Sequence, residues 1–154
     1  MNRPYHIGVI GAGSCDTHAY ALAREIGYQI GQNGWILVCG GLGGVMEAAA
    51  RGCTEARGMT VGILPGLDHS AANQYIRVPI PTGLGEARNA LVVRASHALV
   101  AISGGYGTLS EIALGLKTGK PVFGLETWQG IEGVRYAESP SHVISLLRHT
   151  LRAL

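Results

Sequence analysis

Short apolar runs alternate with longer amphipathic ones along the whole chain. The short runs, rich in Ile, Val and Leu, predict strands at residues 5–10, 35–39, 60–64, 75–80, 98–102 and 121–125. Between them, apolar residues recur at helical spacing over 16–32, 44–56, 85–96 and 108–118. A last helix is expected over 139–151, where Ser139 and Pro140 supply a cap and a favourable first-turn residue. Strands that are apolar at consecutive positions are buried on both faces, so helices must cover the sheet from both sides. The expected architecture is α/β: a Rossmann-like, doubly wound parallel sheet of about six strands, as a single nucleotide-binding domain over 1–154. No linker, internal repeat or low-complexity segment interrupts the pattern.

The 24 glycines among 154 residues exceed the usual share of about 7%, and their placement matters more than their number. They cluster where strands pass into helices: Gly11-Ala12-Gly13-Ser14, Gly40-Gly41-Leu42-Gly43-Gly44 and Ser103-Gly104-Gly105-Tyr106-Gly107. In an open parallel sheet these turns lie at the carboxyl edge, where ligands bind. The helix starts that follow offer free amides and a positive dipole end to an anion. A small phosphorylated ligand is the partner this pattern predicts.

Charge and composition remove other classes. The formal net charge is +2, the basic residues are scattered and aromatics are few, which argues against a nucleic-acid partner. No apolar run approaches the roughly 18 residues of a membrane span, and the first residues lack a signal-like apolar core. Cys15, Cys39 and Cys53 show no metal spacing and suit a reduced compartment, so a cytoplasmic location away from any membrane is expected. The first glycine loop starts like a dinucleotide fingerprint, but its third glycine position holds Asp16, better read as a helix cap. The second strand ends in Cys39-Gly40, without the acidic residue that would hold a ribose. No P-loop motif occurs, and Lys117 and Lys120, the only lysines, flank Gly119 away from the glycine-rich edge. That placement disfavours a pyridoxal-phosphate enzyme.

The stretch Ser103–Glu111 admits two readings. Thr108 and Glu111 fit a T-x-x-E capping box, and they equally fit a phosphate loop followed by a catalytic carboxylate. The stretch resembles the P-G-G-x-G-T-x-x-E signature of the Lonely Guy proteins, with Ser103 in place of proline. Residues 39–52, CGGLGGVMEAAARG, resemble that family's other glycine motif, and 83–96 occupies the place of its M-x-x-R-K helix. The run 63–89 is most similar to a short bacterial branch that also resembles the molybdenum-cofactor carrier proteins.

The resemblance implies a Rossmann-like homodimer, or a higher homo-oligomer, and hydrolysis of the N-glycosidic bond of a nucleoside 5′-monophosphate. By position, Arg88 and Glu111 would be the catalytic pair, and Gly104, Gly105, Gly107 and Thr108 would hold the phosphate. Gly11, Gly13, Ser14, Gly40, Gly41, Gly43, Gly44, Asn89 and Tyr106 would surround the ligand. No metal or required cofactor is expected; a phosphorylated nucleotide or the molybdenum cofactor would be a ligand. The alternative function is a non-catalytic carrier or sensor of a phosphorylated pterin or nucleotide. Asn89 in place of lysine and Glu47 in place of glycine, both departures from the family pattern, alter the charge of the expected pocket.

Several residues have simpler readings. Glu47 complements a helix dipole, and Met46 with the Leu109/Ile112/Leu116 stripe belongs to the core. Asp68, His69 and Asn73 form a polar loop that suits either a lid or plain surface. Cys15 is either a small packed residue or a thiol activated by a helix start. His6, His18, His97, His142 and His149 are structural or surface residues.

Overall fold

The computed structural model describes residues 2–154. Seven strands form one parallel sheet: β1 His6–Gly11, β2 Ile36–Cys39, β3 Met59–Leu64, β4 Val78–Pro81, β5 Ala98–Ile102, β6 Val122–Leu125 and β7 Arg135–Tyr136. Their order is β4-β3-β2-β1-β5-β6-β7. Five helices connect or flank them: α1 Thr17–Gln32, α2 Val45–Glu55, α3 Asn89–Ala95, α4 Tyr106–Lys117 and α5 Pro140–Leu151.

The fully buried β5 shows how the sheet is covered. Ala98, Val100 and Ile102 face a core shared with Ile26 and Ile30 of α1, Ala48 and Ala49 of α2, and Val143 and Leu147 of α5. Leu99 and Ala101 point the other way, toward Val92 and Val93 of α3 and Ile112 of α4. Successive side chains of a strand alternate faces, so one apolar run feeds two cores. None of the helices in the described residues is long and apolar enough to cross a membrane.

Most boundaries agree with the sequence reading to within one or two residues, and three elements differ by more. The sheet has a seventh strand, β7, whose two residues pair with Phe123 and Gly124 and leave no apolar run to detect. β4 begins later than expected and carries Pro79 and Pro81, which an edge strand tolerates because one side needs no ladder donors. The helix expected over 85–96 starts instead as a tight 3-10 turn, Gly85–Arg88, before α3 begins at Asn89.

Helices α1 and α2 approach until their backbones touch. A Cβ at Gly27 would lie 1.9 Å from the Ala49 carbonyl oxygen, and one at Gly52 would lie 1.8 Å from that of Arg24. The two helices carry the first two glycine loops, so this approach sets the spacing of those loops. Gly27→Ala and Gly52→Ala must each push the helices apart. Each is expected to cost at least 1–3 kcal/mol, read as a lowered midpoint in urea denaturation.

Candidate functional site

Strands β1 and β5 are neighbours in the sheet, with Gly11 opposite Ile102 at their carboxyl ends. The chain leaves β1 toward β2 and leaves β5 toward β6, in opposite directions across the sheet. The crevice at such a reversal is where open α/β sheets bind ligands. It holds a cavity of about 190 Å³ lined by Val9 to Gly13, Gly40, Met46, Arg88, Asn89, Gly105, Gly107, Thr108 and Glu111.

The first two glycine loops converge here and are tied together by one backbone hydrogen bond. Val45 N–H donates to the Ala12 carbonyl at 3.0 Å, and Gly44, at φ +63°, leaves the space that Ala12 and Gly13 occupy. Asp16 caps α1 by accepting from Ala19 N–H at 2.8 Å, as its sequence position predicts. Asn73 ties the second loop down: its backbone N–H donates to Gly41 at 2.9 Å and its side-chain amide to Leu42 at 2.8 Å. Ser14, Gly41, Gly43, Gly44, Gly104 and Tyr106, also expected around the ligand, do not line this cavity.

The third loop is different. Helix α4 begins at Tyr106 after Gly105, and no side chain caps it. Thr108 and Glu111 therefore lie inside the helix, and the capping-box reading is ruled out. The displacement has a local cause. Ser103 (φ +54°) and Gly104 (φ +104°) turn the chain sharply, and Gly104 sits so close over Thr108 that a Cβ would meet its hydroxyl at 2.2 Å. The first-turn amides of α4 have no partners within the helix, and they face the cavity through Gly105, Gly107 and Thr108.

Arg88 and Glu111 meet at the same cavity, and both are buried, at 9% and 8% exposure. The guanidinium donates through Nη1 to the Asn89 side-chain oxygen and through Nη2 to the Gly40 carbonyl at 3.3 Å. Gly40 makes room for it, since a Cβ there would lie 2.6 Å from Nη2. The buried Nε has no acceptor among the described residues. A guanidinium short of acceptors in an anion-sized cavity is a group that a bound anion would satisfy. Burial raises the Glu111 carboxyl from its ordinary 4.5 to about 7, against the opposing pull of Arg88. The site thus holds a permanent cation and a carboxyl that titrates near neutrality.

Other predicted positions lie elsewhere. Glu47 sits in the first turn of α2 outside the cavity. Asp68 accepts from Ser70 N–H at 2.8 Å, and neither it nor His69 lines the cavity. Burial, then Asp16 and Glu47, raise the Cys15 thiol pKa, which opposes the activated-thiol reading. Met46, read as core from its spacing, is buried and also forms part of the cavity wall. His18 pairs with Glu126 at 2.7 Å on the surface. Lys120 donates to the carbonyls of Arg94, at 3.2 Å, and Ser96, away from the cavity.

The β6–β7 loop had no signal in the sequence reading, yet it braces the third glycine loop. Ser103 N–H donates to the Glu126 carbonyl at 3.0 Å. The Thr127 hydroxyl donates to the Ser103 carbonyl at 2.7 Å, and the Trp128 indole N–H to the Gly105 carbonyl at 3.0 Å. Only the pairing of β5 with β6 brings these segments together.

Fold and site together define a Rossmann-like protein with a glycine-lined cavity at the sheet's reversal point. The chain belongs to the SLOG cluster4 family, whose profile matches residues 4–150. It is 45% identical over 139 residues to an uncharacterized protein of Archaeoglobus fulgidus, covering 90% of this chain and 91% of that one. It is 31% identical to the cytokinin riboside 5′-monophosphate phosphoribohydrolase of Mycobacterium tuberculosis, over 77% of this chain and 70% of that one. Among solved structures, it is similar to the molybdenum cofactor binding protein of Rippkaea orientalis (TM-score 0.92, 36% identity, 97% of this chain and 98% of that one). It is also similar to the molybdenum cofactor carrier protein of Chlamydomonas reinhardtii (TM-score 0.89, 39% identity, 99% of this chain and 100% of that one).

Two substitutions test this geometry. Proline holds φ near −65° and has no N–H, so Ser103→Pro loses both the φ +54° turn and the bond to Glu126. It is expected to cost about 3 kcal/mol in denaturant unfolding, whereas Ser103→Gly is expected to be neutral or better. Glu111 gives a pH signature. Below pH 4.5 its carboxyl is protonated in folded and unfolded chains alike; between 4.5 and about 7 the unfolded chain ionises first, and stability falls as pH rises. Glu111→Gln is therefore expected to raise the unfolding free energy at pH 8 by on the order of 3 kcal/mol, read from urea denaturation, with little change at pH 4.

Proposed function

We propose that the β1–β5 crevice binds a phosphorylated small molecule and that the protein is a phosphoribohydrolase acting on a nucleoside 5′-monophosphate. One observation carries the reading: a buried guanidinium and a buried carboxyl line one small cavity that the uncapped start of α4 also lines. The phosphate is assigned to the amides at Gly105, Gly107 and Thr108, with Arg88 adding a fixed positive charge. That placement sets the ribose against Glu111.

Breaking the N-glycosidic bond leaves the electron pair on the base nitrogen and positive charge at the sugar's anomeric carbon. The Glu111 carboxylate stabilises that charge and accepts a proton from the attacking water. The new C–O bond forms, the proton taken up by Glu111 passes to the departing base nitrogen, and the products are free base and ribose 5-phosphate with Glu111 ionised again. Ionised Glu111 is the competent form, so the rate is expected to climb with pH through about 7. The identity with the mycobacterial phosphoribohydrolase supports this reading.

A second reading, a non-catalytic carrier of a phosphorylated pterin or nucleotide, is favoured by the end-to-end likeness to molybdenum cofactor binding proteins. Asn89 also favours it, because the Asn89 side chain occupies Arg88 where the resembling family has a second cation. The homodimer implied by the resemblance belongs to the proposal under either reading.

Base release from a panel of nucleoside 5′-monophosphates separates the two. A phosphoribohydrolase is expected to release base from at least one member and to lose at least a hundredfold in rate in Glu111→Gln. Tight binding of a phosphorylated ligand without release of base, unchanged in that variant, would establish the carrier instead.

A further inference from the structure

A second cavity, of about 330 Å³, adjoins the first and is lined by Glu86, Asn89, Tyr106, Gly107 and Ser110. The two share Asn89 and Gly107, so a molecule with its phosphate in the first reaches the second with its other end. Tyr106 caps nothing and is not part of the core. It is 83% exposed at the first position of α4. Its ring lies 5.8 Å from that of Trp128 at a 33° tilt, and Trp128 is itself held on the Gly105 carbonyl at 3.0 Å. An aromatic ring backed by Trp128 thereby lines the second cavity together with Glu86.

The rest of the lining is mostly polar. The Glu86 side chain is exposed and forms no hydrogen bond or ion pair among the described residues. A carboxylate only accepts, and its two oxygens match two parallel N–H donors. Asn89 gives its oxygen to Arg88, which leaves its NH₂ group to donate. One acceptor pair and one donor complement the edge of a 2-amino-4-oxo-pyrimidine ring, with its carbonyl, ring N–H and amino group in a row. Guanine and the pterins share that edge. Adenine lacks the carbonyl, and hypoxanthine lacks the amino group.

We propose that this second cavity is a ring slot selecting a 2-amino-4-oxo heterocycle, stacked on Tyr106 and held at its edge by Glu86 and Asn89. It deepens the function proposed above and rests on it for the phosphate end of the ligand. Tyr106 and Glu86 are exposed, so Tyr106→Ala and Glu86→Gln leave the core untouched, and circular dichroism confirms their folding.

The test is a tryptophan-fluorescence titration of wild type and both variants with ribose 5-phosphate, AMP, IMP, GMP and 6-hydroxymethylpterin monophosphate. GMP or the pterin phosphate is expected to bind at least about tenfold more tightly than AMP and IMP, and the stronger of the two identifies the ring. Glu86→Gln is expected to erase that preference. Tyr106→Ala is expected to weaken every ring-bearing ligand about tenfold and to leave ribose 5-phosphate unchanged. Ribose 5-phosphate binding with no preference among the rings overturns the slot and spares the cleft. Absence of binding by every phosphorylated compound overturns both.

Discussion

Gly11 is the point on which the site depends, because no side chain fits there. A Cβ would lie 2.4 Å from the Ile102 carbonyl oxygen and 2.6 Å from a Val45 methyl. With hydrogen alone at that position, β1 ends flush against β5, and α2 starts directly beneath the first glycine loop. The bond from Val45 N–H to the Ala12 carbonyl then locks two of the three loops together. Their glycines serve close packing of backbone on backbone. In the third loop Ser103 N–H is bonded to Glu126, and the amides left without a partner are those of the first turn of α4.

That division of labour bears on the charges. A guanidinium buried at the junction needs acceptors, and Gly40 and Asn89 supply two. A carboxyl buried at the same junction loses hydration, and the attraction of Arg88 restores only part of it, so its pKa moves upward. Ionised Glu111 therefore weakens the fold above neutral pH. A group that costs stability, lines a cavity and titrates near neutrality is a functional candidate on physical grounds. Its neighbours Thr108 and Ile112 on α4 are fully packed and carry none of that strain.

The T-x-x-E pattern shows how a local rule gives way to the chain's path. Its spacing fits a capping box, yet the helix starts two residues before Thr108. The cause lies upstream, in two consecutive residues of positive φ at Ser103 and Gly104. Ser103 holds that conformation because its N–H and carbonyl are both engaged by the β6–β7 loop. The proline of the resembling signature has no N–H for the first of these bonds, so this chain builds its third loop differently from that signature.

The alternation of apolar runs determined the parallel, doubly covered sheet, since strands buried on both faces allow no other arrangement. The glycine clusters marked the sheet edge that carries the cavity, and the resemblance singled out Arg88 and Glu111, which line it. The sequence was silent on β7, whose two residues carry no periodicity, and on Thr127 and Trp128, which sit more than twenty residues from the loop they brace. It also could not distinguish glycines that permit packing from glycines that leave amides open, because both have the same one-residue signature. Tertiary structure decided these matters. Hydrogen-bond partners, burial and the pKa of a carboxyl depend on which distant segments the sheet order brings within a few ångströms.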